Sequence, residues 1–122
     1  MNTATENRDS GLGIVFPGQG SQSVGMLSDL AERYPQVDET FSEASDMLGY
    51  DLWQLVSEGP AEELTKTDRT QPAMLAAGVA VWRVWLANAG PAPVVMAGHS
   101  LGEYTALVCA GSIAFADAVG LV

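Results

Sequence analysis

The sequence predicts the α/β fold class, with a parallel sheet flanked by helices. Two short apolar runs, residues 12–16 and 94–97, have the length and composition of buried strands. The stretch between them has the residue spacing of helices, and strands joined by a helical crossover pair in parallel. The second run leads directly into a serine between two glycines and then into another helical pattern. This strand–turn–helix order indicates a nucleophile elbow.

Helices are predicted wherever apolar side chains recur at intervals of three and four residues. The clearest such stripe runs from Val37 to Leu48, with intervals of four, three and four residues. A break near Pro35 separates this helix from the one before it. The predicted helices span residues 26–33, 34–48, 51–56, 61–64, 70–88, 103–110 and 112–122.

Residues that stop or cap helices fix several of these boundaries. Gly49 is expected to end the helix before it, and Asp51 is expected to cap the next one. Thr70 or Gln71 is expected to cap the long helix, with Pro72 tolerated in its first turn. Residues 1–11 are polar and aperiodic, so we expect a flexible tail there and treat residues 12–122 as part of one domain.

The pentapeptide GHSLG at residues 98–102 is expected to be the chemical centre. A serine at the tip of a strained turn leaves no room for side chains two residues away, and Gly98 and Gly102 remove that collision. The Ser100 hydroxyl would then stand over the first turn of a helix, where backbone N–H groups are unpaired. An oxyanion forming beside Ser100 would meet these donors, the first being the N–H of Leu101.

Composition excludes several other classes of function. The chain of 122 residues has 15 acidic side chains, five lysines and arginines, and a formal net charge of −10. This charge argues against nucleic acid and anionic membrane surfaces as partners. The apolar run at residues 73–87 is shorter than the roughly 20 residues that span a bilayer. No side chains have metal-ligand spacing, and we expect no metal site.

The first residues and the cysteine content favour a cytoplasmic location. The polar N-terminus lacks the apolar segment of a secretory signal. Cys109 is the only cysteine, so no intrachain disulfide can form. Cys109 stands among apolar residues of a predicted helix, where a small buried side chain is the expected role.

Three ordered motifs carry a resemblance to a known family: FPGQGSQ at 16–22, TQPA at 70–73 and GHSLGEY at 98–104. Together they resemble the malonyl-CoA:acyl-carrier-protein transacylases, and more broadly the acyltransferase domains of fatty-acid and polyketide synthases. The resemblance extends over residues 12–122. The segments at residues 49–53 and 59–64 are similar to those of the bacterial single-function enzymes.

This resemblance implies an α/β-hydrolase-like acyltransferase core with a ferredoxin-like subdomain inserted later in the chain. It implies transfer of malonyl from coenzyme A to the phosphopantetheine thiol of acyl carrier protein in fatty-acid biosynthesis. The reaction would pass through a malonyl-serine ester on Ser100 and need no bound cofactor. The resemblance assigns the backbone N–H groups of Gln19 and Leu101 to the oxyanion hole, where they would contact the substrate. We expect most side-chain changes at these two positions to be mild.

Other family features have no counterpart among these residues. They are a catalytic histidine downstream of the elbow, an arginine that pairs with the malonyl carboxylate, and the ferredoxin-like subdomain. His99 is the only histidine, and its place beside the nucleophile on a tight turn is unsuited to a general base. Two parallel strands are also an incomplete sheet. We therefore expect the N-terminal portion of a longer acyltransferase, inactive by itself.

Two alternatives belong to other classes of function. The first is a serine esterase that uses the same elbow. The loop of glycines and glutamines at residues 18–22 argues against it, because lipases and esterases usually carry an H-G-G-G-type loop there. The second is a non-enzymatic fragment that acts only through folding or interaction.

Overall fold

A computed structural model describes residues 11–122 of the chain. The expected tail over residues 1–11 therefore lies outside the described residues, apart from Gly11. The element order is β1 (Gly13–Phe16), α1 (Ser28–Arg33), α2 (Pro35–Leu48), α3 (Leu52–Glu58), α4 (Ala61–Leu64), α5 (Thr67–Ala87), β2 (Val95–Gly98), α6 (Gly102–Cys109) and α7 (Phe115–Leu121).

The two described strands form the predicted parallel pair. Their register runs from Gly13 opposite Val95 to Phe16 opposite Gly98. Both strands therefore end at the same edge, where the chain leaves β1 for the glycine-rich loop and β2 for the elbow. The prediction of an α/β fold class with a parallel sheet is confirmed.

The long helix α5 lies at the centre of the packing, between α2 on one side and α6 on the other. Most of its buried side chains are small, so neighbouring helices approach closely. Where α5 meets α6, an added Cβ on Gly78 would lie only 2.5 Å from Cγ2 of Thr105. The largest fully buried apolar side chains of the core come from α2, α3, α4, α5 and α7: Val37, Phe41, Leu52, Val56, Leu64, Leu75, Val79 and Val119.

Several predicted helix ends are confirmed in detail. Pro35 is the first residue of α2, and Gly49 ends that helix in the left-handed region at φ 80°. The Asp51 side chain accepts a hydrogen bond from the N–H of Gln54 at 3.0 Å and so caps α3. α3 continues to Glu58, two residues beyond its predicted end.

The predicted start of the long helix is wrong. α5 begins at Thr67, and Thr70 lies inside the helix, fully buried. The Thr70 hydroxyl donates to the carbonyl of Leu64 at the end of α4, so it does not cap α5. Pro72 consequently lies in the second turn, where it cannot donate to the carbonyl of Asp68. Asp68 is exposed, so water can reach that carbonyl.

A partly exposed arginine of α5 contacts side chains of two other helices. Arg83 of α5 donates to the hydroxyl of Thr40 at 3.0 Å and to the Glu43 carboxylate, both on α2. Its guanidinium also lies over the ring of Phe115 at the start of α7, 5.2 Å from the ring centroid. Among residues 11–122, no helix is both long and apolar enough to cross a membrane.

Candidate active site

Ser100 lies in a sharp turn between β2 and α6. The strand ends at Gly98 and the helix begins at Gly102. Ser100 has φ 57°, in the left-handed region that residues with a side chain rarely adopt. Holding a residue in such a conformation costs about 1–3 kcal/mol, and such strain occurs mostly at functional sites. The side chain is exposed, so its hydroxyl is accessible at the edge where both strands end.

The two flanking glycines are required by close backbone packing. An added Cβ on Gly98 would lie 2.0 Å from the carbonyl carbon and oxygen of Gly102. An added Cβ on Gly102 would lie 2.2 Å from the carbonyl oxygen of Phe16, the last residue of β1. The predicted collision within the turn is confirmed for Gly98. For Gly102 the obstacle is the end of the neighbouring strand.

The loop after β1 packs directly against the elbow. An added Cβ on Gly18 would lie 2.5 Å from the carbonyl oxygen of His99 and 3.4 Å from Cβ of Ser100. The N–H of His99 donates to the carbonyl of Phe16 at 3.0 Å, which continues the strand pairing into the turn. The loop that carries Gln19 is therefore adjacent to Ser100, as the oxyanion-hole hypothesis requires.

Two backbone N–H groups in these loops are available to a ligand. The carbonyls of His99 and Ser100 accept hydrogen bonds from Gly102 at 3.0 Å and Glu103 at 2.9 Å, which fixes the first turn of α6. Within the described part of the chain, the N–H groups of Leu101 and Gln19 have no acceptor. Leu101 as a whole residue is 4 % exposed, and its side chain packs in the core.

Among the described residues, His99 makes no hydrogen bond to the candidate nucleophile. Its Nδ1 lies beside Gly18, 3.5 Å from where a Cβ would stand on that glycine. No described side chain hydrogen-bonds the Ser100 hydroxyl. Residues 11–122 thus present an elbow and two free amides without a general base in contact with the serine.

Sequence reasoning missed one residue of the site, Thr67. The side-chain amide of Gln19 donates to the Thr67 hydroxyl at 3.1 Å, across 48 positions of sequence. Thr67 lies three residues before the TQPA motif, and that proximity was the one available signal. Spacing alone could not show that the first turn of α5 reaches the loop after β1.

Neither the cysteine nor the acidic side chains of the described residues form a second reactive or metal-binding site. Cys109 is partly buried, and loss of solvation raises the pKa of its thiol to about 12. It is therefore protonated at neutral pH and unsuited to nucleophilic attack. Among residues 11–122, no group of three or more His, Cys, Asp or Glu side chains could hold a metal ion.

The parallel strands, the strained Ser100 and the free amides together define an α/β protein with a serine nucleophile elbow. The family model described as "Acyl transferase domain" matches residues 14–122. The chain belongs to this acyltransferase family.

Named relatives agree with this assignment. The malonyl CoA-acyl carrier protein transacylase of Salmonella typhimurium is 69% identical over 109 residues, covering 89% of this chain and 35% of the relative. The corresponding protein of Bacillus subtilis strain 168 is 47% identical over 110 residues, covering 90% of this chain and 34% of its own length. The chain thus spans about a third of the length of these relatives.

Solved structures show the same fold. An acyl carrier protein S-malonyltransferase from Vibrio cholerae superposes with a TM-score of 0.91 at 65% identity, covering 93% of this chain and 37% of that one. A structure of a type II PKS acyl-carrier protein in complex with its malonyl-transacylase gives a TM-score of 0.88 at 66% identity. The match covers 89% of this chain and 35% of that one. The expected match to the N-terminal part of the acyltransferase fold is confirmed.

Proposed function

We propose that the full-length protein transfers a malonyl group from coenzyme A to the phosphopantetheine thiol of acyl carrier protein, and that residues 12–122 alone are inactive. The observation that carries the proposal is the strained Ser100, with two free amides, Gln19 and Leu101, in the adjoining loops. Relatives named for this reaction share up to 69% of residues over the matched region. Residues 12–122 would form the N-terminal portion of a single acyltransferase domain.

In the first half of the proposed reaction, the Ser100 oxygen attacks the thioester carbonyl of malonyl-CoA. The carbonyl oxygen becomes an oxyanion, and the N–H groups of Gln19 and Leu101 would donate to it. When the C–S bond breaks, the acyl group stays on Ser100 as an ester, and coenzyme A leaves after taking up the serine proton.

In the second half, the carrier-protein thiol attacks this ester. The C–O bond breaks and the proton returns to Ser100. Proton transfer needs a general base, and such assistance typically contributes about 10²–10⁴-fold in rate. His99 makes no hydrogen bond to Ser100 among the described residues, and its place beside the nucleophile on a tight turn is unsuited to this role. No bound cofactor takes part in this scheme.

The proposed partners are a coenzyme A thioester and acyl carrier protein. The support for the carrier is the neighbouring structure in which a malonyl-transacylase is bound to one. The proposed location is the cytoplasm, which fits a chain with one unpaired cysteine.

Intact-mass spectrometry tests the proposal. The full-length protein mixed with malonyl-CoA should gain one malonyl group and lose it when carrier protein is added. Ser100→Ala should abolish the adduct. Ser112→Ala is the matched control, because Ser112 is an exposed serine just beyond the other end of α6. An adduct that persists in Ser100→Ala would refute the assignment of the nucleophile.

A further inference from the structure

We propose that Thr67 is a positioning residue, which holds the Gln19 amide where the oxyanion forms. The inference rests on the proposed function, since it gives the Gln19 N–H a role in stabilising the transition state. Its basis is the hydrogen bond from Nε2 of Gln19 to Oγ1 of Thr67 at 3.1 Å.

The Gln19–Thr67 hydrogen bond connects the loop at residues 18–22 to helix α5. The loop's other hydrogen bonds are internal: Ser21 N–H donates to the carbonyl of Gly18 at 3.4 Å, and Gly20 N–H donates to the Gln22 side chain at 2.7 Å. Among the described residues, no other hydrogen bond leaves residues 18–22. Gly18 is held sterically by the elbow, whereas Gln19 depends on Thr67.

The helix that carries Thr67 is held against a neighbouring helix near its start. Thr67 is the first residue of α5, the central helix of the core. One turn later the fully buried Thr70 hydroxyl donates to the carbonyl of Leu64, which fixes the start of this helix against α4. The bond from Gln19 therefore joins the loop to the exposed start of a helix whose following turns are buried in the core.

Loss of the bond should affect the chemical step and leave substrate binding unchanged. The Gln19 N–H would interact with the oxyanion of the transition state, and a contact made only there changes kcat without raising KM. The net free energy of one such hydrogen bond corresponds to a factor of about five in an equilibrium constant. Complete loss of one oxyanion donor typically lowers kcat by about 10²–10³-fold. We expect kcat to fall about 5- to 100-fold. This outcome would replace the expectation that side-chain changes at Gln19 are mild.

The test compares three variants in the full-length protein. Thr67→Val removes the acceptor and preserves the side-chain shape. Thr67→Ser restores a hydroxyl and should recover most of the rate. Thr65→Val is the matched control, because the Thr65 hydroxyl donates to the carbonyl of Ala61 at 2.7 Å, within its own turn. Circular dichroism and thermal unfolding show whether each variant is folded.

Two reactions are measured for each variant. The first is malonyl transfer, with kcat and KM for malonyl-CoA determined separately. The second is the rate at which a fluorophosphonate probe labels Ser100, which uses the serine and oxyanion hole without any malonyl group. Thr67→Val should lower kcat and the labelling rate by similar factors, with KM unchanged and Thr65→Val near wild type.

The outcomes separate this inference from the proposed function. A folded Thr67→Val variant with both rates within twofold of wild type overturns the role of Thr67, as does a loss confined to KM. If wild type reacts with the probe but not with malonyl-CoA, the proposed function fails and the probe rates alone decide the role of Thr67. If wild type reacts with neither, both proposals are refuted.

Discussion

The contact between α5 and α6 gives a quantitative test of the packing. Gly78→Ala places a Cβ 2.5 Å from Cγ2 of Thr105 and 3.4 Å from Cδ1 of Phe16. The first distance is well inside van der Waals contact, and Thr105 is buried at 1 % exposure, so it has little room to move. The two helices must separate or the Thr105 side chain must leave its rotamer.

Two opposing terms determine the change in the free energy of unfolding. Replacing glycine by alanine inside a helix stabilises it by about 0.8–1.0 kcal/mol. Overpacking a well-packed core costs about 1–3 kcal/mol. Gly78→Ala should therefore destabilise the protein by up to about 2 kcal/mol. Thr105→Ser removes the obstructing methyl group, so in that background Gly78→Ala should stabilise by up to about 1 kcal/mol.

Urea unfolding of wild type, both single variants and the double variant measures this coupling. We expect an interaction of about 1–3 kcal/mol. Gly120→Ala is the control, because an added Cβ at this exposed position of α7 meets nothing within 4 Å. It should be neutral or slightly stabilising. If Gly78→Ala is equally destabilising with and without the Thr105 methyl group, the steric explanation is wrong.

Three further predictions concern the elbow and its helix. Gly98→Ala, with its Cβ 2.0 Å from Gly102, should abolish Ser100 labelling even if the core still unfolds cooperatively; wild-type labelling would contradict the packing described. Leu101→Pro removes one of the proposed oxyanion donors and should lower kcat about 10²–10³-fold, whereas Leu101→Ala loses core packing but keeps the N–H, so its kcat should fall less. Cys109, with a pKa of about 12, should resist iodoacetamide at pH 8 until urea unfolds the protein, and rapid alkylation of the native state would contradict its burial.

The parts of the fold that local chemistry determines were predictable from the sequence. GHSLG predicted the elbow, and at Gly98 the turn itself leaves no space for a Cβ. Asp51 predicted the start of α3 because its carboxylate bonds an N–H three residues away. In both cases the interacting groups lie within a few residues of one another.

The parts that depend on distant neighbours were not predictable. Threonine is a common helix cap, so Thr70 was expected to start the helix. Its hydroxyl instead donates to the carbonyl of Leu64 at the end of α4, and the helix begins three residues earlier, at Thr67. Thr67 accepts its hydrogen bond from a loop 48 positions away in sequence. Long-range contacts of this kind follow from the whole fold and carry no local signal.

The register of the two strands also bears on the order in which the protein folds. β1 and β2 lie on opposite sides of five helices in the chain, so their pairing closes a long loop. Contacts between elements close in sequence form sooner, because they close shorter loops. We therefore expect the helical packing of α2 to α5 to form first and the nucleophile to take its strained conformation last. During refolding from urea, helical circular dichroism should therefore recover before probe labelling of Ser100 does.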